Sequence, residues 1–471
     1  MKIEQIYTGC LAQGAYYITS DGEAAIIDPL RESKPYLDRL IADNVILKYI
    51  FETHFHADFV SGHLDLSKKT NAKIVFGPNA KTEFDIISAT DNQEFSVGNV
   101  KIKVLHSPGH TLESTTYLLI GENGKNHAIF SGDTLFIGDV GRPDLAQKNA
   151  AQTQEELAGI LFHSLRNKII ILDDEVLVYP AHGAGSACGK NMSKERFSTI
   201  GEQKISNYAL RANMTEAEFI AEVTDGLLPP PNYFAMNVAL NKKEISSFDQ
   251  VLDNGLKAIS VDDFQSIVEN TDILILDTRS NIDFVHGFIP NAINIGIAGD
   301  FAPWVGVLIG DINQQILLVT EVGFEQETIT RLMRVGFDNI LGYLDRGFQS
   351  WLNANKPIDK VNRISAAAFE NEILTSNDKI IDIRKITEYE AEHVEEAFCR
   401  PLSSINQWIN EISNDEHFYL HCAGGYRSTI AASILQARGI NNFTEIEGGF
   451  NAIANTNIAK SKFVCKSKVL T

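Results

Sequence analysis

Thr53-His54-Phe55-His56-Ala57-Asp58-Phe59 decides how the first half of this chain is read. Imidazole and carboxylate suit zinc and iron, and a His-x-His pair brings two imidazoles to one point where the backbone turns sharply. Three more pieces come later in the chain: Pro108-Gly109-His110, Gly132-Asp133-Thr134 and Ala181-His182-Gly183. Each piece lies just past a short apolar run that reads as a strand: Tyr49-Ile50-Phe51, Lys101 to Leu105, His127 to Phe130 and Glu175 to Tyr179. Ala24 to Asp28 is a further strand ending in an acid. Ligands set past strand ends gather at one edge of a layered sheet and can converge on one metal. A lone histidine is usually a packing or surface residue; four histidines and two aspartates in this order read as a metal site. Helical stretches are expected at 33–43 and 152–166. Residues 190–245 read as a helix, a break at Pro229-Pro230-Pro231 and a helix from Tyr233 to Leu240, a cap and connector.

The remaining half repeats itself. Ile275-Leu276-Asp277-Thr278-Arg279 matches Ile380-Ile381-Asp382-Ile383-Arg384, Val335 to Asn339 matches Arg438 to Asn442, and Arg346-Gly347-Phe348 matches Gly448-Gly449-Phe450. Two tandem α/β domains with mainly parallel sheets are expected, because strand and helix patterns alternate. The second carries Cys422-Ala423-Gly424-Gly425-Tyr426-Arg427-Ser428 between a strand pattern (Phe418-Tyr419-Leu420) and a helix pattern (Thr429 to Arg438). Backbone N–H groups and a helix N-terminus aimed at the sulfur stabilise a thiolate, and Arg427 adds positive charge. A cysteine by itself is usually a small buried apolar residue; the glycines and flanking elements argue against that here. The first repeat offers Leu317 to Phe324 instead, without a cysteine, so it is expected to be silent, with Glu321 placing negative charge where the sulfur would sit.

Size and composition bound the rest. A chain of 471 residues suggests about three domains of ~150 residues, drawn here as 1–245, 255–355 and 362–460. Hydrophobic and charged contents of 44% and 22% are those of a globular protein. A net charge of -20 argues against nucleic acid and anionic membrane surfaces as partners. Five dispersed cysteines form no disulfide framework and suggest a reducing compartment. The first residues lack a basic start followed by a long apolar run, and no uncharged run approaches the ~20 residues that cross a bilayer. The chain reads as cytoplasmic.

The ordered set of THxHxD, PGHT, GDT and AHG resembles the metallo-β-lactamase fold, an αβ/βα sandwich with metal at one sheet edge, over residues 1 to about 240. The dinuclear hydrolases of that superfamily, such as glyoxalase II, have a histidine where this chain has Phe59, which lacks a donor atom. A second metal would keep only Asp58 and His182 with the bridging Asp133. The resemblance then implies a mononuclear site, with His54, His110 and Asp133 as a facial triad that favours ferrous iron and O₂ chemistry. The persulfide dioxygenases of the superfamily are similar: they bind one iron at these positions. His56, Asp58 and His182 would support the ligands from behind. Asp133 to Asp144 also looks like the bacterial members of that group, with Arg142 either in a structural ion pair or serving as a substrate clamp or support of the metal loop. Cys188, six residues past His182, is a packed loop cysteine, or a thiol that contacts substrate or relays sulfur as a persulfide.

The loop at Cys422 is similar to that of the rhodaneses, sulfurtransferases that carry sulfane sulfur as a cysteine persulfide. Four residues separate Cys422 from Arg427, one fewer than in the phosphate-binding Cys-x5-Arg loop of protein tyrosine phosphatases. The Asp-x-Arg at 382–384 and Glu447 to Phe450 also fit rhodaneses. The whole chain thus resembles a persulfide dioxygenase–rhodanese fusion. That resemblance implies one Fe(II) per chain (zinc as the alternative), a low-molecular-weight thiol persulfide of glutathione, coenzyme A or a similar thiol, O₂, and sulfite or thiosulfate as sulfur products. It also implies a homodimer or higher homo-oligomer. Three other readings stand beside it: a glyoxalase II-like zinc hydrolase of thioesters fused to a sulfurtransferase, a plain sulfurtransferase with a degenerate metal domain, and a sulfide-responsive binding module. Tyr208, Arg211 and Tyr233 read as packing or capping rather than a groove for the thiol, Cys10 as structural, and Cys399 and Cys465 as without a motif.

Overall fold

Alternation with period two explains the first half. Along strand Gln13–Ser20, Tyr16 and Ile18 face one layer while Ala15 and Tyr17 face the other, so every residue but the half-buried Thr19 is buried. The computed structural model describes residues 1–145, 152–227 and 229–463, so Cys465 lies outside it. The chain divides into two compact units, residues 1–248 with 333–336 and the remainder from 249.

The first unit holds two six-stranded sheets. One runs Lys2–Thr8, Gln13–Ser20, Glu23–Ile27, Ile46–Glu52, Lys73–Phe76, Ile87–Ser88 in space as in sequence. The other runs Ser198–Thr199, Leu177–Pro180, Asn126–Gly132, Thr115–Ile120, Val100–His106, Glu94–Val97. Tyr16, Ile27, Phe51 and Val75 of the first sheet pack against Phe95, Ile102, Val104, Tyr117 and Phe130 of the second. Helices Lys34–Asp43 and His63–Thr70 cover the outer face of the first sheet. Gln154–Ser164 and Glu216–Thr224 cover that of the second. This is the expected αβ/βα sandwich. The connector differs from its sequence reading: Ile200–Ser206 and Glu216–Thr224 are separate short helices ahead of Tyr233–Leu240. The reason was legible, because Thr199 with Glu202 and Thr215 with Glu218 each form a capping box that starts a new helix.

The second unit holds two five-stranded sheets of one design. Their orders are Ala258–Ile259, Ile340–Leu344, Ile316–Val319, Leu274–Asp277, Ile293–Asn294 and Arg363–Ile364, Phe443–Ile446, Phe418–His421, Lys379–Asp382, Phe398–Cys399. Every described pair is parallel. The motifs that revealed the repeat meet in space. Arg279 is held by Asp277 and lies 3.9 Å over the Phe348 ring; Arg384 is held by Asp382 and lies 3.9 Å over Phe450. A desolvated guanidinium gains from both the carboxylate and the ring face. No helix among the described residues is long and apolar enough to cross a membrane.

Candidate metal centre and cysteine loop

Asp28 ends strand Glu23–Ile27 in a left-handed backbone conformation and organises the histidine loop that leaves strand Ile46–Glu52. Its carboxylate accepts from Thr53 N at 2.7 Å and Thr53 Oγ1 at 2.8 Å, and Thr53 Oγ1 lies 3.0 Å from His54 Nδ1. The other nitrogen, His54 Nε2, is 3.8 Å from Asp133 Oδ2. Gly132 makes this approach possible: its φ is +55°, and a Cβ there would sit 2.6 Å from Thr53 Oγ1. His110 is set the same way, with Nδ1 donating to Arg142 O at 2.8 Å and Nε2 3.5 Å from Asp133 Oδ2. His110 Nε2 and Asp133 Oδ2 are buried and have no hydrogen-bond partner, an arrangement that fits a cation held between them.

Three further groups surround this triad. His182 Nδ1 donates to Asp133 Oδ1 at 2.8 Å, and its Nε2 lies 2.8 Å from Asp58 Oδ2 outside hydrogen-bond geometry. Asp58, His182 and Cys188 bring one donor atom each within 4.8 Å of one another. The sequence reading left Cys188 out of that second position; the loop after His182 folds back and brings it there, where Arg142 N donates to Cys188 O at 3.0 Å. His56 lies flat on Phe59, ring centroids 4.2 Å apart, with Nε2 3.1 Å from Asp28 Oδ1 and 3.5 Å from Glu52 Oε2. Its Nδ1 is buried without a partner, on a ring 4.3 Å from that of His54.

The charges are strongly coupled. Burial opposes the charge of Asp133, but His182, His54 and His110 outweigh it and hold that carboxyl well below the ordinary range. Burial likewise disfavours a His182 cation, yet Asp133 and Asp58 raise it well above ordinary imidazole. His54 is pushed well down by burial and then by His56, which suits a neutral ligand. Burial, then Asp133 and Asp58, push the Cys188 thiol well up.

Arg142 is engaged in structure. Its guanidinium grips Asp144 at 2.6 and 2.7 Å and donates to Ala187 O, while its carbonyl fixes His110. Tyr233 is buried beside Asp58 and Cys188, whereas Tyr208 donates to Asp139 and Arg211 pairs with Glu222.

At the cysteine loop, Cys422 comes directly after strand Phe418–His421 and is buried. Gly425 N donates to Cys422 Sγ at 3.1 Å, from a φ of +104° that suits glycine. Ser428 Oγ lies 3.5 Å from the sulfur, donates to Glu445 Oε1 and sits 3.1 Å from Gly425 O. Arg427 forms a bidentate pair with Glu388 at 2.6 and 2.8 Å. Ala423 O and Cys422 O accept from Asn451 N and Phe450 N, so the loop is tied down from both ends. In the first repeat the strand register aligns Val319 with His421, since they pair with Asp277 and Asp382 respectively. Thr320 therefore takes the cysteine's place, and Glu321, expected there, is the exposed residue beyond it. Cys399 sits on an edge strand, where burial pushes its thiol up to about 11.

Sequence reasoning missed Asn241 and Glu52. Asn241 Nδ2 donates to His56 O and Phe59 O, and its Oδ1 accepts from Ser61 N, closing the His54–Asp58 loop. Glu52 accepts from Ser61 Oγ and contacts His63 Nδ1 at 3.0 Å. Glu52 had a signal, an acid at a strand end beside the histidines; Asn241 had none.

Comparison with known proteins agrees with this anatomy. Residues 8–182 match the metallo-beta-lactamase superfamily, and residues 260–354 and 365–456 each match the rhodanese-like domain. A hydroxyacylglutathione hydrolase of Tolumonas auensis is 32% identical over 44% of this chain and 85% of its own length. Glyoxylase B2 of Dictyostelium discoideum is 29% identical over 49% of this chain and 82% of its own. The crystal structure of a metallo-beta-lactamase from Staphylococcus aureus subsp. aureus COL is 32% identical with a TM-score of 0.64, covering 73% of this chain and 98% of that one. This chain belongs to the metallo-β-lactamase superfamily and carries two rhodanese-like domains behind that domain.

Proposed function

We propose that the chain oxidises the persulfide of a small thiol with O₂ and handles sulfane sulfur at Cys422. The observation that carries the first half is the triad: His54 Nε2, His110 Nε2 and Asp133 Oδ2 face one point, two of them with no other partner, while Phe59 covers His56. Two histidines and one carboxylate with open positions suit ferrous iron, which when bound supplies the redox step between O₂ and sulfur that no side chain offers. The net change converts a thiol persulfide, O₂ and water into thiol, sulfite and two protons; the terminal sulfur is oxidised and the S–S bond breaks. The chain's own residues orient and exclude. Thr53 and the Arg142 carbonyl fix the two ring tautomers, and His182 holds Asp133 Oδ1 so that Oδ2 faces the histidines. The Cys422 loop supports the second half: a nucleophilic sulfur facing a backbone amide can accept sulfane sulfur and pass it to sulfite as thiosulfate.

A second reading has a specific support. Asp58, His182 and Cys188 gather three donors beside the triad, and His182 approaches Asp58 as two ligands of one ion would. Two zinc ions would make a thioester hydrolase, in keeping with the hydroxyacylglutathione hydrolase relative. One experiment separates them: metal analysis and O₂ uptake on anaerobically purified protein given glutathione persulfide or coenzyme A persulfide. About one iron per chain with O₂ consumption and sulfite release is expected. Two zinc ions, hydrolysis of a glutathione thioester and no O₂ uptake after iron loading would move the assignment to the hydrolase.

A further inference from the structure

The helix next to Cys422, Tyr426–Ala437, is buried from Ser428 to Leu435 on all sides. One side belongs to its own sheet. The other meets the cysteine-less repeat, at the segment after edge strand Ile293–Asn294. Tyr426 Oη donates to Gly296 O at 2.8 Å, and further along Ser433 Oγ accepts from Asn294 N at 2.9 Å.

The tyrosine fills a seat that exists because two residues have no side chain. A Cβ on Gly299 would lie 2.4 Å from Tyr426 Cζ and 2.6 Å from Cε2; one on Gly296 would lie 3.3 Å from Cε2. Neither glycine has a positive φ, so backbone conformation does not require them. At Gly299 the ring alone requires glycine; at Gly296 the Arg279 carbonyl oxygen, 3.2 Å from such a Cβ, crowds the position together with the ring. Asn281 of the same repeat also reaches the loop, its Nδ2 3.5 Å from where a Cβ of Gly425 would stand. Gly425, whose amide donates to Cys422 Sγ, thus lies directly before an anchored residue.

We propose that the cysteine-less repeat is a positioning element for the sulfur site: Gly296 and Gly299 seat Tyr426, and this fixes the Gly425 amide on Cys422. The repeat has Thr320 in place of a nucleophile, and its contribution is the rigid surface against which the neighbouring loop is set. Preorganised donors act on a developing charge only if held in place beforehand. This inference rests on reading Cys422 as the sulfur carrier.

The test uses the full chain and two readouts: transfer of sulfur from thiosulfate to cyanide, giving sulfite and thiocyanate, and the pH profile of Cys422 alkylation by iodoacetamide. Gly299→Ala drives a methyl into the ring and is expected to lower kcat about 10-fold with KM within about twofold, and to move the alkylation profile to higher pH, as loss of an aimed donor does. Tyr426→Phe keeps the ring and loses one hydrogen bond, for an expected drop of about threefold to fivefold. In a Tyr426→Ala background, Gly299→Ala is expected to change kcat by less than about twofold, because the collision is gone. Folded Gly299→Ala and Tyr426→Phe variants with wild-type kcat and alkylation profile would overturn the proposal. So would a Gly299→Ala effect that persists in full without the tyrosine. Should Gly299→Ala not fold, Tyr426→Phe and the double variant decide. A wild-type chain that transfers no sulfur would instead overturn the carrier reading beneath it.

Discussion

Phe59 stacks its ring on His56 at the place where a donor would complete a second metal position. Phe59→His restores that donor beside Asp58, His182 and Cys188. Metal content in a zinc-supplemented preparation is then expected to rise from about one to about two ions per chain, the full complement for a position with three or four donors. Unchanged stoichiometry would show that the ring is not what limits the second site. The residues that carry pattern were legible here: His54, His110 and Asp133 come after strand ends in a recognisable order. Those that hold them in place were not. Asn241 reaches the His54–Asp58 loop from 182 positions beyond Phe59, and no local signal marks such a contact. Whether Cys188 joins Asp58 and His182 depends on how the loop after His182 returns, which spacing does not specify.

The Asp-x-Arg element shows how a sequence repeat becomes a structural one. In each repeat the arginine bridges its own strand-end aspartate and an aromatic ring some 65–70 residues on, as Arg384 does between Asp382 and Phe450. Arg384 and Asp382 side chains are 5% and 0% exposed, so removing one partner strands a buried charge. Arg384→Met keeps the packing on Phe450 and is expected to destabilise the second unit by about 3–5 kcal/mol, read from denaturant unfolding of the full chain. A midpoint equal to wild type would mean that the pair is replaceable by apolar contact. The two matching segments were visible as a repeat from sequence, but their meeting was not, because the phenylalanine lies beyond the cysteine loop in the chain. Element boundaries went astray for a different reason. Between 190 and the Pro229-Pro230-Pro231 break, two capping boxes start separate helices where the sequence reads as one.

At the scale of the whole molecule, the domain plan was legible in the sequence because each half has its own periodicity and motif, whereas the use of placing both sites on one chain is a question of concentration. Under the proposed function, a product released at the first site would meet Cys422 at an effective concentration set by the tether between them, whereas a separate chain would offer only its bulk concentration. Cys422→Ser removes the nucleophile and leaves the triad intact, so O₂ uptake with glutathione persulfide is expected within about twofold of wild type while sulfite replaces thiosulfate as the sulfur product. His110→Ala does the reverse, losing metal and O₂ uptake but keeping the loop. Mixed in equal amounts, the two variants restore both sites without joining them. Thiosulfate formation by the mixture is expected to lag well behind wild type at submicromolar chain and to approach it as concentration rises. Equal rates at every concentration would mean that the intermediate diffuses freely between sites and that fusion confers no kinetic advantage.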